Sequence, residues 1–110
     1  MRVPGKGPTP CDLCFVGEGP GYREAQRGEP FVGKTGEEID RHLAANGLPS
    51  RHDIFLTNLY REYKGKDYEY TAEDLARDEP ELLYELGLVK PTCIVPLGRS
   101  AARWFLGGNH

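Results

Sequence analysis

Three short apolar runs, each followed by a pattern typical of a helix, constrain the fold of this chain more than any other feature. The runs cover residues 13–16, 54–57 and 92–98. An alternation of strands and helices is typical of a parallel sheet with helices on its faces. Because 110 residues suffice for one modest core, we predict a single α/β domain over residues 1–110. It should have three layers, with a short parallel sheet of about three strands flanked by helices.

The helix that follows the first strand has a recognisable start and end. Thr35 with Glu38 three residues later fits a capping box, so we expect the helix to begin at Thr35. Ile39 and Leu43 lie four residues apart and should share its apolar face. Gly47 fits a C-terminal stop.

Two further helices are expected after the second and third strands. Thr71 with Asp74 fits another capping box, and Ser100 is expected to cap the last helix. Pro80 lies within the helix that starts after Thr71, and it should kink or split that helix because proline lacks a backbone N–H.

The candidate site lies at the ends of the predicted strands. Open parallel sheets bind ligands outside the carboxyl ends of their strands, which here read "GEGPG", "TN" and "LGRS". Residues 17–33 are predicted to form a long, polar loop rich in glycine. A loop of that length in a small domain is usually functional or disordered.

One pattern in this region suggests a different function. Gly28, Gly33, Lys34 and Thr35 satisfy the phosphate-binding P-loop pattern. A P-loop joins a buried strand directly to a helix, yet the residues before Gly28 are polar and charged. Pro30 also removes a backbone donor that the loop would need. A P-loop nucleotide hydrolase is therefore only a remote alternative.

Charge and hydropathy exclude some classes of partner. The net charge of −3 argues mildly against a broad electrostatic grip on nucleic acid, although a local basic rim stays compatible with it. No apolar run approaches the ~20 residues that span a bilayer, and the first residues lack an apolar signal segment. We therefore expect a cytoplasmic protein without a membrane partner.

The cysteines Cys11, Cys14 and Cys93 are odd in number and do not form a disulfide framework. Cys11 and Cys14 have the spacing of half a metal site, but structural zinc needs four ligands. His42, His52 and His110 show no zinc-like spacing. We favour reduced thiols, with Cys93 buried in a strand, and predict no bound metal.

The stretch "FVGEGPGYREAQRGEPFVGKTG" resembles the first motif block of the uracil-DNA glycosylase superfamily, most closely its family 4, thermophile-type branch. "IFLTNLYR" and "LVKPTCIVPLGRSAARWFLG" are similar to later blocks of that branch and occur in the same order. The resemblance runs from about Phe15 to Gly107. It implies a uracil-DNA glycosylase-like fold, with uracil-containing DNA as partner. It also implies hydrolysis of the N-glycosidic bond of a flipped-out uracil in base-excision repair.

The resemblance implies three principal roles. A base that leaves the stack needs an aromatic face, which Phe31 would supply. Asn58 would read the base edge, because an amide both donates and accepts hydrogen bonds. Glu18 would be catalytic, orienting water or stabilising positive charge on the sugar. Each residue has a simpler alternative: Phe31 as core, Asn58 as a turn cap and Glu18 as a solvated acid.

The turn between the first strand and its helix contributes further candidates. Gly19, Pro20 and Gly21 would let the backbone come close to the substrate. Glu24 matches a family position near the uracil ring, where it would help to exclude the methyl group of thymine. An ordinary surface charge is the equal alternative for Glu24.

Two departures from the family pattern carry expectations of their own. Family 4 typically holds a four-iron cluster on four cysteines, but alignment puts Glu62 and Asp78 at the third and fourth positions. We therefore predict no iron–sulfur cluster and no cofactor.

The second departure concerns a His-Pro-Ser segment that active members carry after a fourth strand. The segment is missing here, and His110 is terminal without the Pro-Ser that should follow. We therefore expect the domain to be truncated at its C-terminus relative to the family. A catalytically impaired base- or DNA-binding module of the same fold is the principal alternative to an active glycosylase.

Overall fold

A computed structural model describes residues 2–107. Its three strands form one parallel sheet in the order β2-β1-β3, and every pairing in it is parallel. The predicted α/β fold is therefore confirmed. The elements are β1 (Leu13–Gly17), α1 (Tyr22–Arg27), α2 (Lys34–Ala45), a 3-10 turn (Arg51–Asp53), β2 (Phe55–Asn58), α3 (Ala72–Val89), β3 (Cys93–Pro96) and α4 (Arg99–Leu106).

The alternation of side chains along β1 divides the core between the two faces of the sheet. Cys14 and Val16 pack in a cluster with residues of α3 and α4, including Leu82 and Trp104. Phe15 points the other way and packs with residues of α2, including Ile39 and Leu43. The predicted apolar face of α2 is thus confirmed, and the sheet is the middle of three layers.

Two of the three predicted helix caps are wrong. Gly33 and Gly98 are the N-caps of α2 and α4, and neither helix has a side-chain cap hydrogen bond. Thr35 is already inside the first turn of α2. Ser100 is inside α4, where its hydroxyl donates to a carboxylate outside the helix. Because the glycines take the cap positions, each cap lies two residues earlier than predicted, and Thr35 and Ser100 are the second residues of α2 and α4.

The predictions for α3 are half confirmed. Thr71 accepts from the backbone N–H of Asp74, and the Asp74 carboxylate accepts from the Thr71 N–H, as the capping box requires. The predicted split at Pro80 is wrong, since α3 continues to Val89. Pro80 is exposed and removes only one donor from the helix, so packing of the other face keeps α3 intact.

Two other local predictions are wrong. The loop at residues 17–33 contains α1, which ends at Gly28 in the left-handed conformation with φ 68°. This helix has no buried residues, so it lacks the apolar spacing that predicts a helix. Cys93 is exposed rather than buried, because β3 lies at an edge of the sheet and pairs only with β1 among the described residues.

Within residues 2–107, every helix is too short or too polar to cross a membrane.

Candidate functional site

A cavity of about 410 Å³ opens at the carboxyl ends of the strands. Six of the seven residues predicted for the site line it, namely Glu18, Gly19, Gly21, Glu24, Phe31 and Asn58. Pro20 is buried behind the turn and is not among the lining residues. The topology explains this convergence, since parallel strands end at the same edge of the sheet.

Four lining residues were not among the predicted site residues. Gly17 is the last residue of β1, Thr35 lies in the first turn of α2, and Leu97 and Gly98 follow β3. The "GEGPG" and "LGRS" strand ends were already marked as part of the site, so the positions of Gly17, Leu97 and Gly98 could have been found from the sequence. Thr35 was predicted to be a helix cap, so it was not considered as a residue of the cavity wall.

Asn58 lines this cavity and carries an unpaired acceptor. The residue is 2% exposed, and its Oδ1 atom has no hydrogen-bond partner among the described residues. A buried polar atom without a partner costs about 1–3 kcal/mol. Such an atom on a cavity wall is the group that a bound ligand would satisfy, and the observation goes against a simple turn cap.

Gly17 brings the Asn58 amide and the Phe31 ring to the same place. A Cβ atom at Gly17 would lie 2.6 Å from Asn58 Oδ1 and 2.8 Å from Phe31 Cζ. Both distances are shorter than ordinary van der Waals contact. The amide and the ring therefore flank a space that only glycine leaves open.

Phe31 belongs to both the cavity wall and the core. Its side chain is 6% exposed and packs with Ile39 and Leu43, and its ring also lines the cavity. Its backbone is left-handed, with φ 54°, which is uncommon for a residue other than glycine. Residues held in such a conformation tend to occur at functional sites.

The carboxylate of Glu24 accepts three backbone hydrogen bonds. Its Oε1 accepts from the Gly21 N–H at 3.0 Å. Its Oε2 accepts from the N–H groups of Val32 at 3.0 Å and Gly33 at 2.7 Å. Glu24 thus connects three backbone positions of the loop by hydrogen bonds and is not a free surface charge. It also occupies donors that a P-loop would turn toward a phosphate, which goes against the nucleotide-hydrolase alternative.

Glu18 is the exposed carboxylate of the site. Its Oε2 accepts from the hydroxyl of Ser100 at 2.6 Å, which links the end of β1 to the first turn of α4. Burial raises the pKa of the neighbouring Tyr70 to about 12, and the charge of Glu18 adds to this effect. A Cβ atom at Gly19 would lie 2.5 Å from the Tyr70 hydroxyl, so the turn packs tightly against that ring.

A buried ion pair supports the segment that carries Asn58, and the sequence analysis missed it. Arg61 is fully buried, and its guanidinium donates to both carboxylate oxygens of Glu85 on α3, at 2.8 and 2.7 Å. The Arg61 N–H also donates to Asp78 at 3.0 Å. Two bonds, from Leu59 N–H and Tyr60 N–H to the carbonyls of Gly17 and Glu18, extend the pairing with β1 beyond Asn58.

The described residues do not fit an iron–sulfur cluster. At the two positions aligned with cysteines, Glu62 and Asp78 are both ion-paired to Arg2, at 3.2 and 3.0 Å. Burial raises the pKa of the Cys14 thiol to about 12, which disfavours the thiolate that a metal needs. Cys11 instead donates to two backbone carbonyls at 3.3 Å. Within residues 2–107, no three His, Cys, Asp or Glu residues are grouped to hold a metal ion.

Histidine does not line the cavity in the described part of the chain. Neither His42 nor His52 lines it, and His110 lies outside the described residues.

Fold and cavity together define an α/β domain with a ligand-sized cavity at its strand ends. The family model described as the uracil DNA glycosylase superfamily matches residues 4–110. The chain therefore belongs to the uracil-DNA glycosylase superfamily, and the resemblance predicted from its motifs is confirmed.

Curated relatives point to one branch of that superfamily. The type-4 uracil-DNA glycosylase of Archaeoglobus fulgidus is 37% identical over 102 residues, which are 93% of this chain and 51% of the relative. Those of Thermotoga maritima and Pyrobaculum aerophilum are both 33% identical; the matches cover 97% and 92% of this chain and 55% and 51% of the relatives. The chain thus spans about half the length of the curated relatives it matches.

Proposed function

We propose that this chain recognises uracil extruded from DNA and hydrolyses its N-glycosidic bond. The observation that carries the proposal is the buried, unpaired Oδ1 atom of Asn58 on the cavity wall. Uracil offers one ring N–H between two carbonyl groups. An asparagine amide can accept from that N–H and donate to a carbonyl, so the base would give Oδ1 the partner that it lacks.

Phe31 would supply the face on which the base stacks. Its ring and the Asn58 amide both border the space beside Gly17. A flat base in that space could stack on the ring while its edge forms hydrogen bonds with the amide. The cavity volume of about 410 Å³ lies in the range of small-ligand pockets. Phe31 also packs in the core, which would hold the ring rigid during binding.

Glu18 would act on the sugar. Cleavage passes through a transition state with positive charge on the sugar ring, and a nearby carboxylate can stabilise it or orient the attacking water. Water would add to the anomeric carbon while the electrons of the C–N bond leave with the base. The proton lost by the water would finally protonate the departed base. The 2.6 Å bond from Ser100 would hold the Glu18 side chain at the cavity mouth. Gly19 and Gly21 would let the backbone approach the substrate.

Glu24 would contribute to selectivity. Its side chain lines the cavity and both carboxylate oxygens are held by backbone donors. A wall group that cannot move aside would exclude the additional methyl group of thymine. Discrimination by one methyl group is typically worth about 1–3 kcal/mol.

A uracil-containing oligonucleotide tests the proposal when the product is assayed as abasic sites. We expect cleavage by the unsubstituted chain and a loss of about 10²–10³-fold in rate for Asn58→Ala and for Glu18→Gln. Asn46→Ala and Glu38→Gln are matched controls on exposed positions of α2 and its C-cap, and they should cleave normally. Cleavage that survives in Asn58→Ala would contradict the assigned recognition.

A second candidate is a module of the same fold that binds the base without cleaving it. It is favoured because the described residues lining the cavity include no histidine, lysine or arginine. The leaving base would then lack a cationic or histidine donor from this part of the chain. Binding of the oligonucleotide that depends on Asn58, without abasic product, would favour the module over the enzyme.

A further inference from the structure

In the loop between α1 and α2, the backbone of Phe31 has an unusual conformation. The residue has φ 54°, in the left-handed region, and side chains other than glycine stay in that region only when their surroundings determine it. The ring of Phe31 nevertheless lies on the cavity wall. Something in the structure must therefore hold the backbone of this residue.

Glu24 holds the chain immediately after Phe31. The N–H groups of Val32 and Gly33 converge on one carboxylate oxygen, Oε2. The other oxygen accepts from Gly21, at the start of α1. One side chain therefore fixes the peptide groups that follow Phe31 and joins them to the turn that follows β1.

Gly36 restrains Phe31 from the opposite side. A Cβ atom at this position would overlap the carbonyl oxygen of Phe31. Gly36 is buried in the first turns of α2, so the helix can approach the Phe31 carbonyl only because the residue is glycine. The Phe31 peptide is thus confined between α2 and the Glu24 carboxylate.

We propose that Glu24 is a positioning residue that acts on uracil through Phe31, by locking the left-handed backbone that turns the ring into the cavity. The inference rests on the proposed function of the cavity as a uracil site. It goes beyond the wall role given to Glu24 above, because the carboxylate would matter even for a base that never touches it. It also explains why a charged group is needed, since a carboxylate bonds more strongly than an amide to several N–H donors at once.

Amide hydrogen exchange in the 110-residue chain tests the lock without any substrate. Glu24→Ala removes both acceptor oxygens, so all three hydrogen bonds are lost. The N–H groups of Val32 and Gly33 should exchange about 10- to 100-fold faster than in the unsubstituted chain. Glu38→Ala makes the same chemical change at an exposed position and should leave both amides unchanged. Unchanged protection in Glu24→Ala would overturn the lock.

A double-mutant cycle on uracil binding tests whether the lock acts through the ring. We expect Glu24→Ala to weaken binding of free uracil roughly tenfold in the unsubstituted background and not at all when Phe31→Ala is already present. Additive losses would show that Glu24 acts on the base directly and would overturn the inference. If the unsubstituted chain neither binds nor cleaves uracil, the proposed function fails, while the exchange rates alone decide whether Glu24 holds the loop.

Discussion

Replacing Gly17 by alanine should block the site with little damage to the fold. The new Cβ would lie 2.6 Å from Asn58 Oδ1 and 2.8 Å from Phe31 Cζ. Since optimal heavy-atom contact begins near 3.5 Å, one or both groups would have to move by about 0.7–0.9 Å. A misplacement of about 1 Å in a site can cost up to roughly 100-fold in rate. We therefore expect kcat/KM on a uracil-containing oligonucleotide to fall about 10- to 100-fold.

Gly17→Ala should leave the chain folded, with a modest net loss of stability. Overpacking of a well-filled site costs about 1–3 kcal/mol, and replacing glycine within a strand returns about 0.5–1 kcal/mol. Gly87→Ala is the matched control, because its Cβ would meet nothing within 4 Å. That control should cleave normally and unfold at a slightly higher temperature. A Gly17→Ala chain that is folded and fully active would refute the reasoning that amide and ring share this space.

Three further predictions concern the supports of the site. Arg61→Met should lower the free energy of unfolding by about 3–5 kcal/mol in chemical denaturation, because it leaves Glu85 without its buried partner; a loss below 1 kcal/mol would contradict this. Burial would raise the pKa of Asp78, but hydrogen bonds from surrounding arginine residues outweigh it and lower the pKa. A lowered pKa contributes stability that is lost as the pH falls through the folded value, so stability should drop below about pH 4 and Asp78→Asn should flatten that drop in denaturation curves. A thiol reagent at pH 8 should modify the exposed Cys93 first and reach Cys14 only on unfolding, because burial raises the pKa of Cys14 to about 12; equal rates measured by mass spectrometry would refute this.

The strands and the site could be predicted because their signals are local. Each strand is a short apolar run, and parallel topology brings the ends of such runs together whatever lies between them. The family resemblance, rather than the topology, assigned Phe31 and Asn58 to one site although 27 positions separate them in the numbering, and both residues line the cavity. Thr71 with Asp74 was equally local, since both hydrogen bonds of the capping box join residues three apart.

The errors arise where a residue interacts with a distant part of the chain. Ser100 was predicted to cap α4, but its hydroxyl donates to Glu18, 82 positions earlier. Arg61 starts the polar, tyrosine-rich stretch "REYKGKDYEY", and nothing near it in sequence indicates that it is buried and paired with Glu85. Glu24 accepts hydrogen bonds from Val32 and Gly33 across a loop. The path of this loop depends on the tertiary fold and is not indicated by the local sequence.

The structure of the chain with uracil bound tests the central claim most directly. The account predicts the base in the cavity at the strand ends, with its ring on Phe31 and its N–H donating to Asn58 Oδ1 at about 2.9 Å. Uracil bound elsewhere on the chain, or bound in the cavity with Oδ1 still unpaired, would contradict it.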